Sequence, residues 1–117
     1  MLIRIDVTSN VPIFAQIAAS VRRAIADGDL APGDRLASAR DLAKSLDVNL
    51  HTVLRGYQEL RDEGIIELRR GRGAVVTTRA KGRAAALLAL TAYIEEARRA
   101  GLTADEATRL VREGMNS

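Results

Sequence analysis

The amino-acid sequence predicts a mainly α-helical chain with one small β-hairpin, and three observations carry that prediction. Apolar residues recur at helical spacing through most of the chain, in segments separated by Gly, Pro, Asp and Asn. One stretch alone, "GIIELRRGRGAVVTT", holds two short β-rich runs on either side of an Arg-Gly-Arg-Gly turn. Apolar residues make up 47% of the 117 and aromatics only 3%, so the core of this small chain has to be aliphatic.

After an apolar start at Leu2, Ile3 and Ile5, the first helix opens near Pro12. Ile13, Ile17, Val21 and Ile25 recur every four residues, and Phe14, Ala18 and Ala24 widen the stripe. Pro12 suits a first turn, Gly28 a C-terminal stop, and Pro32-Gly33 the turn that follows. Arg22 and Arg23 read as a solvated face of this helix. The second helix is short: Ser38 with Asp41 resembles a capping box, and Leu42 and Leu46 supply the apolar stripe. "DVN" ends it, because Asp47 tolerates a left-handed conformation and Asn49 can cap the next helix.

That third helix, "LHTVLRGYQELRDEG", separates into two faces at about 100° per residue. Leu50, Val53, Leu54, Tyr57 and Leu60 gather on the apolar side, with His51, Thr52, Arg55, Gln58, Glu59 and Asp62 opposite. Glu59, Asp62 and Glu63 crowd the C-terminal end, the reverse of what the helix dipole favours. A helix whose N-terminal half approaches phosphates would carry that gradient.

The two β-rich runs are Ile65 to Arg69 and Ala74 to Thr78. Ile66 and Leu68 alternate with Glu67 and Arg69, as in a half-buried strand, and Arg69 reads as strand surface. The glycines between the runs supply positive φ for a tight hairpin. In the tail, Leu87, Leu90, Ile94 and Ala97 form one helical stripe, broadened by Leu88 and Ala92, and Gly101 stops it. Thr103 and Glu106 form a capping box, opening a last helix on which Ala107, Leu110 and Val111 face one way. Two such helices cannot bury their apolar surface alone. They need either the N-terminal domain or a second copy.

Composition narrows the function. With no cysteine there is neither a disulfide framework nor a thiolate metal site, and His51, the one histidine, has no second strong ligand nearby. There is no phosphate loop and no pair of acids in an apolar setting, so no metal, no cofactor and no enzymatic activity is expected. The apolar runs are too short to span a bilayer, and Met1-Leu2-Ile3-Arg4 does not begin a signal peptide; a soluble cytoplasmic protein is expected. The net charge of +3 is unevenly spread. Leu68 to Ile94 holds no acid but holds Arg69, Arg70, Arg72, Arg79, Lys81 and Arg83. Charge alone leaves two readings, a solvated hairpin or a local anionic partner.

Helix, turn, short helix, tight turn, polar-faced helix and basic hairpin form the order of a winged helix-turn-helix. Its third helix lies in the DNA major groove and its hairpin is the wing. A DNA-binding domain at 1–79 and a helical tail at 80–117 follow.

The residues from Pro12 to Val76 also resemble, without a gap, the DNA-binding domain of the GntR family of bacterial transcription regulators. The resemblance lies in the P-I-F-x-Q-I opening, G-x-L-x-P-G-D-R-L, S-x-R-x-L-A, N-x-x-T-V, E-L-x-x-E-G-I-I and the R-x-G-x-G wing. The short remainder after Thr78, with N-x-x-T-V-x-R-x-Y, is similar to the YtrA-type subfamily, whose two-helix tail serves dimerisation.

This resemblance implies double-stranded operator DNA as the partner. It implies contacts from Ser38 and Arg40 at the start of the second helix, and Asn49, His51, Thr52 and Arg55 facing the major groove. Arg70, Gly71, Arg72 and Gly73 would form the wing contact. Arginine is the best bidentate partner of guanine, and glycine lets backbone N–H groups approach the sugar-phosphate closely. The resemblance further implies a homodimer, formed through Leu87, Leu90, Ile94, Leu110 and Val111. There are departures: Ala37 stands where the family usually has proline, Asp47 where it has glycine, and Leu50 and Leu54 where other subfamilies carry arginine. The resulting expectation is a repressor on a palindromic operator; the alternative is a winged-helix adaptor that binds protein instead. An unknown small-molecule effector stays open as a further partner, with no residue cluster to mark its site.

Overall fold

A computed structural model describes residues 3–117, so Leu2 of the apolar start lies outside the described residues. The described chain divides into two compact units, one ending at Ala85 and one beginning at Ala86.

In the first unit, α1 (Ile13–Ala26) buries Ile17, Ala18, Val21, Ala24 and Ile25, the stripe that its four-residue spacing foretells. Upstream of it, Gln16 holds the preceding loop: its Oε1 accepts from Asp6 N–H at 2.7 Å, and its Nε2 donates to the Asp6 and Val11 carbonyls. In α2 (Ala39–Leu46), the Ser38 hydroxyl accepts from Asp41 N–H at 3.1 Å, which is one arm of the expected capping box. Asp47 ends the helix at φ 55°, ψ 49°, the left-handed conformation expected of it. The Asn49 side chain then accepts from His51 N–H at 2.8 Å and opens α3 (Leu50–Asp62).

Helix α3 packs on both α1 and α2, burying Val53, Gly56, Tyr57 and Leu60. The burial of Leu54 expected from the sequence is not found; it is 37% exposed. The reason is Gly56. A Cβ there would stand 3.0 Å from the Phe14 carbonyl oxygen and 3.3 Å from Ile17 Cγ2, so α1 makes its close approach through this glycine. The buried face of α3 turns toward Gly56 and away from Leu54.

Arg22 also departs from expectation. Its side chain is only 15% exposed, and it lies not on a solvated face but across the end of α3. Its Nη2 stands 2.6 Å from Glu63 Oε2 and 3.3 Å from Glu59 Oε2, with Nε 3.0 Å from Glu63 Oε1. Arg23 is exposed as expected.

β1 (Ile66–Arg69) and β2 (Gly73–Val76) pair antiparallel with Ile66 opposite Val76 and Arg69 opposite Gly73. Arg72 N–H closes the turn on the Arg69 carbonyl at 3.0 Å, and Gly71 and Gly73 take φ of +78° and +75°. The far edge of β2 is covered too. Leu36 N–H donates to the Ala74 carbonyl and Val76 N–H to the Asp34 carbonyl, both at 2.9 Å. Ala74, Val75 and Val76 are therefore all buried, while Leu68, expected inward, is 54% exposed. On β1 burial ends after Ile66, whereas on β2 it reaches Ala74, opposite Leu68, so alternation along β1 does not mark inside from outside. The first turns of α4 (Ala80–Arg99) close the unit with Ala80 and Ala84 buried.

The second unit holds the rest of α4 and α5 (Ala104–Met115). Thr103 and Glu106 make both arms of a capping box at 3.1 Å each. Tyr93 donates to the Ala107 carbonyl at 2.8 Å, and Ala97 is buried. Leu90, Ile94, Leu110, Val111 and Met115 are exposed, and an open groove of about 380 Å³ runs between the helices past Leu90, Tyr93, Ile94 and Val111. No helix among the described residues is long and apolar enough to cross a membrane.

Candidate nucleic-acid interface

The helix-turn-helix presents two successive capped helix N-termini, each with its dipole's positive end toward solvent. Ser38 and Asn49 are exposed, and each spends its side-chain oxygen on a cap. The Ser38 hydroxyl proton and the Asn49 amide N–H groups stay available for a ligand. Arg40 and His51 are exposed and Thr52 half-buried. The Tyr57 hydroxyl donates to the Ala37 carbonyl at 2.7 Å, pinning the start of α2 against the middle of α3. Ser38 and Arg40 therefore lie beside α3, while Asn49, His51 and Thr52 lie at its tip. Burial of the Tyr57 ring pushes its pKa up to about 12, so the phenol stays a donor at any ordinary pH.

Arg55 is exposed one turn further along α3, with its guanidinium carbon 3.8 Å from the centroid of the Phe14 ring. Arg70, Gly71, Arg72 and Gly73 are all exposed on the hairpin loop. The loop is a separate element whose strands attach at the other end of α3, where Ile65 N–H donates to the Leu60 carbonyl. The sequence-predicted residues thus fall into two groups: one on α2 and α3, and one on the wing.

Some cations are held within the chain, while others, Arg23, Arg35, Lys44, Arg98 and Arg112 among them, have no carboxylate partner among the described residues. Arg69 pairs with Glu67 on its own strand, and Arg83 lies over the backbone of Gly64. Arg40, Arg70, Arg72, Arg79 and Lys81 have no carboxylate partner among the described residues. The acidic end of α3 acquires an internal cause, since Arg22 holds Glu59 and Glu63. The charge gradient along α3 therefore does not by itself require phosphate. Sequence reasoning missed Arg22, Gln16 and the cation–π role of Phe14. The last two stand together in the P-I-F-x-Q-I motif, which is the signal that could have found them.

The family model for bacterial regulatory proteins of the gntR family matches residues 14–76, from α1 to the end of β2. The HTH-type transcriptional repressor YtrA of Bacillus subtilis is 42% identical over 80 residues, covering 68% of this chain and 62% of its own length. The HTH-type transcriptional regulator Rv1152 of Mycobacterium tuberculosis is 37% identical over 107 residues, 92% of this chain and 88% of its own. The solved structure of YtrA from Sulfolobus acidocaldarius, a GntR-family transcription factor, matches at 41% identity with a TM-score of 0.62, over 78% of this chain and 99% of that one. The match thus spans less than two thirds of the Bacillus repressor and most of the other two. With a family match over more than half its length and relatives this similar, the chain belongs to the gntR family of bacterial regulatory proteins, as a helix-turn-helix transcriptional regulator of the YtrA-like kind.

Proposed function

We propose that this regulator is a homodimeric, cytoplasmic repressor that occupies a palindromic operator and so blocks transcription. The observation that carries the reading is that Arg40, Arg70 and Arg72 stand exposed without any carboxylate partner among the described residues, while Arg22 and Arg69 are paired. Asn49, His51, Thr52 and Arg55 enter the major groove on α3, and Arg40 takes a phosphate or a guanine edge. Arg70 and Arg72 grip the backbone from the wing, where Gly71 and Gly73 allow close approach of main-chain N–H groups. Similarity to the repressor YtrA supports repression.

One small domain neutralises few phosphates, so useful affinity needs two half-sites held together. Residues 80–117 act as the dimerisation tail. The exposure of Leu90, Ile94, Leu110 and Val111 in a single chain supports this, and Leu87 is half-buried beside them.

The test is a gel-shift salt series on palindromic duplexes from upstream of the chain's own operon. The logarithm of affinity falls linearly with that of salt, and the double variant R70A/R72A loses about one unit of slope per arginine. Binding that ignores salt overturns the reading. Unchanged DNA binding by R70A/R72A returns the protein-adaptor alternative.

A further inference from the structure

Arg55 is held as a cation kept ready for something outside the chain, and we propose that Phe14 is the positioning residue that presents it to DNA. The proposal rests on the DNA-binding reading above and assigns a role to a side chain that itself touches no nucleic acid.

The guanidinium carbon lies over the ring, 3.8 Å from its centroid. The cation therefore sits on the face of the ring, as in a cation–π contact. The ring holds the side chain without supplying a hydrogen-bond acceptor, and Arg55 has no hydrogen-bonded or carboxylate partner among the described residues. A carboxylate would have fixed Arg55 equally well, but by occupying two of its N–H donors.

The obvious carboxylate is diverted. Glu59 lies one helical turn beyond Arg55 on the same face, at the spacing for an ion pair. It stands instead 3.3 Å from Arg22 of α1. Asp62, next on that face, is exposed and 3.6 Å from Arg61. The same helix α1 thus removes the competing acid with Arg22 and supplies the neutral seat with Phe14.

The seat is stiff as well. Gly56, the residue after Arg55, leaves room for the α1 backbone at Phe14, whose carbonyl oxygen would stand 3.0 Å from a Cβ there. The backbone that carries the ring is thereby held against α3. Phe14 is the only phenylalanine in the chain and is half-buried, placed at the edge of the core rather than within it. An arginine already ordered loses less freedom when DNA arrives, which raises affinity without a new contact.

The experiment is a double-mutant cycle on operator affinity, with thermal midpoints recorded for every variant. Phe14→Leu keeps an apolar side chain and removes the ring face. It lowers affinity about three- to tenfold. Phe14→Tyr retains it, and Phe14→Leu has no further effect in an Arg55→Ala background. A loss of equal size in that background shows that Phe14 acts through the fold alone and overturns the proposal, as does wild-type affinity in folded F14L. Wild-type protein that binds no operator duplex overturns the DNA reading, and the positioning role with it. A second readout needs neither DNA nor F14L: in free wild-type protein the Arg55 Nε–H proton resonance shows an upfield ring-current shift. An unshifted resonance overturns the contact directly.

Discussion

The Tyr57 hydroxyl joins two elements from inside the core, and its environment makes it testable alone. An unfolded tyrosine ionises near 10.0 and the native one at about 12, because burial disfavours the phenolate. The native state therefore holds its proton more tightly. That stabilisation is complete below about pH 10 and is lost as pH rises toward 12. A spectrophotometric titration of wild type against Tyr57→Phe isolates one phenol titrating near 12; a midpoint near 10 contradicts the burial. The same variant removes the hydrogen bond to Ala37 and leaves that carbonyl without its partner. It lowers stability by about 1 kcal/mol in chemical denaturation. Asp47 supplies a second single-residue test, as the only described non-glycine residue with positive φ. Asp47→Ala costs about 0.5–1 kcal/mol, since alanine lacks the local hydrogen bonding that eases aspartate into this conformation, whereas Asp47→Gly is neutral or stabilising. Equal losses in the two variants would show that the conformation matters little there.

Helix α1 does more for α3 than cover it. It makes its close approach through Gly56, neutralises the acidic end with Arg22 and seats Arg55 on Phe14. Gly56→Ala forces its methyl group onto a backbone oxygen that cannot yield independently, so it costs about 1–3 kcal/mol as overpacking, read as a lowered thermal midpoint. Arg22→Ala leaves Glu59 and Glu63 partly buried and unpaired, at about 1–2 kcal/mol in stability. It also releases Glu59 to bind Arg55, so operator affinity falls in protein that is still folded; unchanged affinity would separate the two roles of α1. These cross-helix contacts mark the limit of what the sequence discloses. Caps and stops were legible because they are local: Ser38, Asp47, Asn49, Gly101 and Thr103 each act within a few residues of themselves. Leu54, Leu68 and Arg22 were misread because their surroundings depend on another element. A helical wheel gives Gly56 no weight, strand alternation says nothing about where the core ends, and two glutamates 37 and 41 residues away do not reveal themselves to Arg22. That Arg40, Asn49, His51, Arg55, Arg70 and Arg72 would stand exposed was legible; the seat under Arg55 was not.

At the scale of the whole molecule the unresolved balance lies in the tail. The second unit buries Ala97 and caps α5 well, yet it leaves Leu90, Ile94, Leu110, Val111 and Met115 in water. Covering the remaining exposed part of each would gain about 1 kcal/mol, a sum that a two-helix unit with marginal secondary structure of its own does not readily forgo. A second copy offering the same surface satisfies both halves at once, because a two-fold interface is self-complementary. Ile94→Glu and Val111→Glu place charge in that surface without touching the DNA-binding domain. Wild type sediments as a dimer and the two variants as monomers. On a palindromic operator the monomers keep the contacts of one half-site, so their salt slope falls to about half that of wild type. Their affinity for an isolated half-site duplex is unchanged, which separates loss of dimerisation from damage to the recognition surface. A wild-type chain that sediments as a monomer at micromolar concentration, or variants that remain dimeric, would remove the tail from the interface and leave its apolar side chains without an explanation.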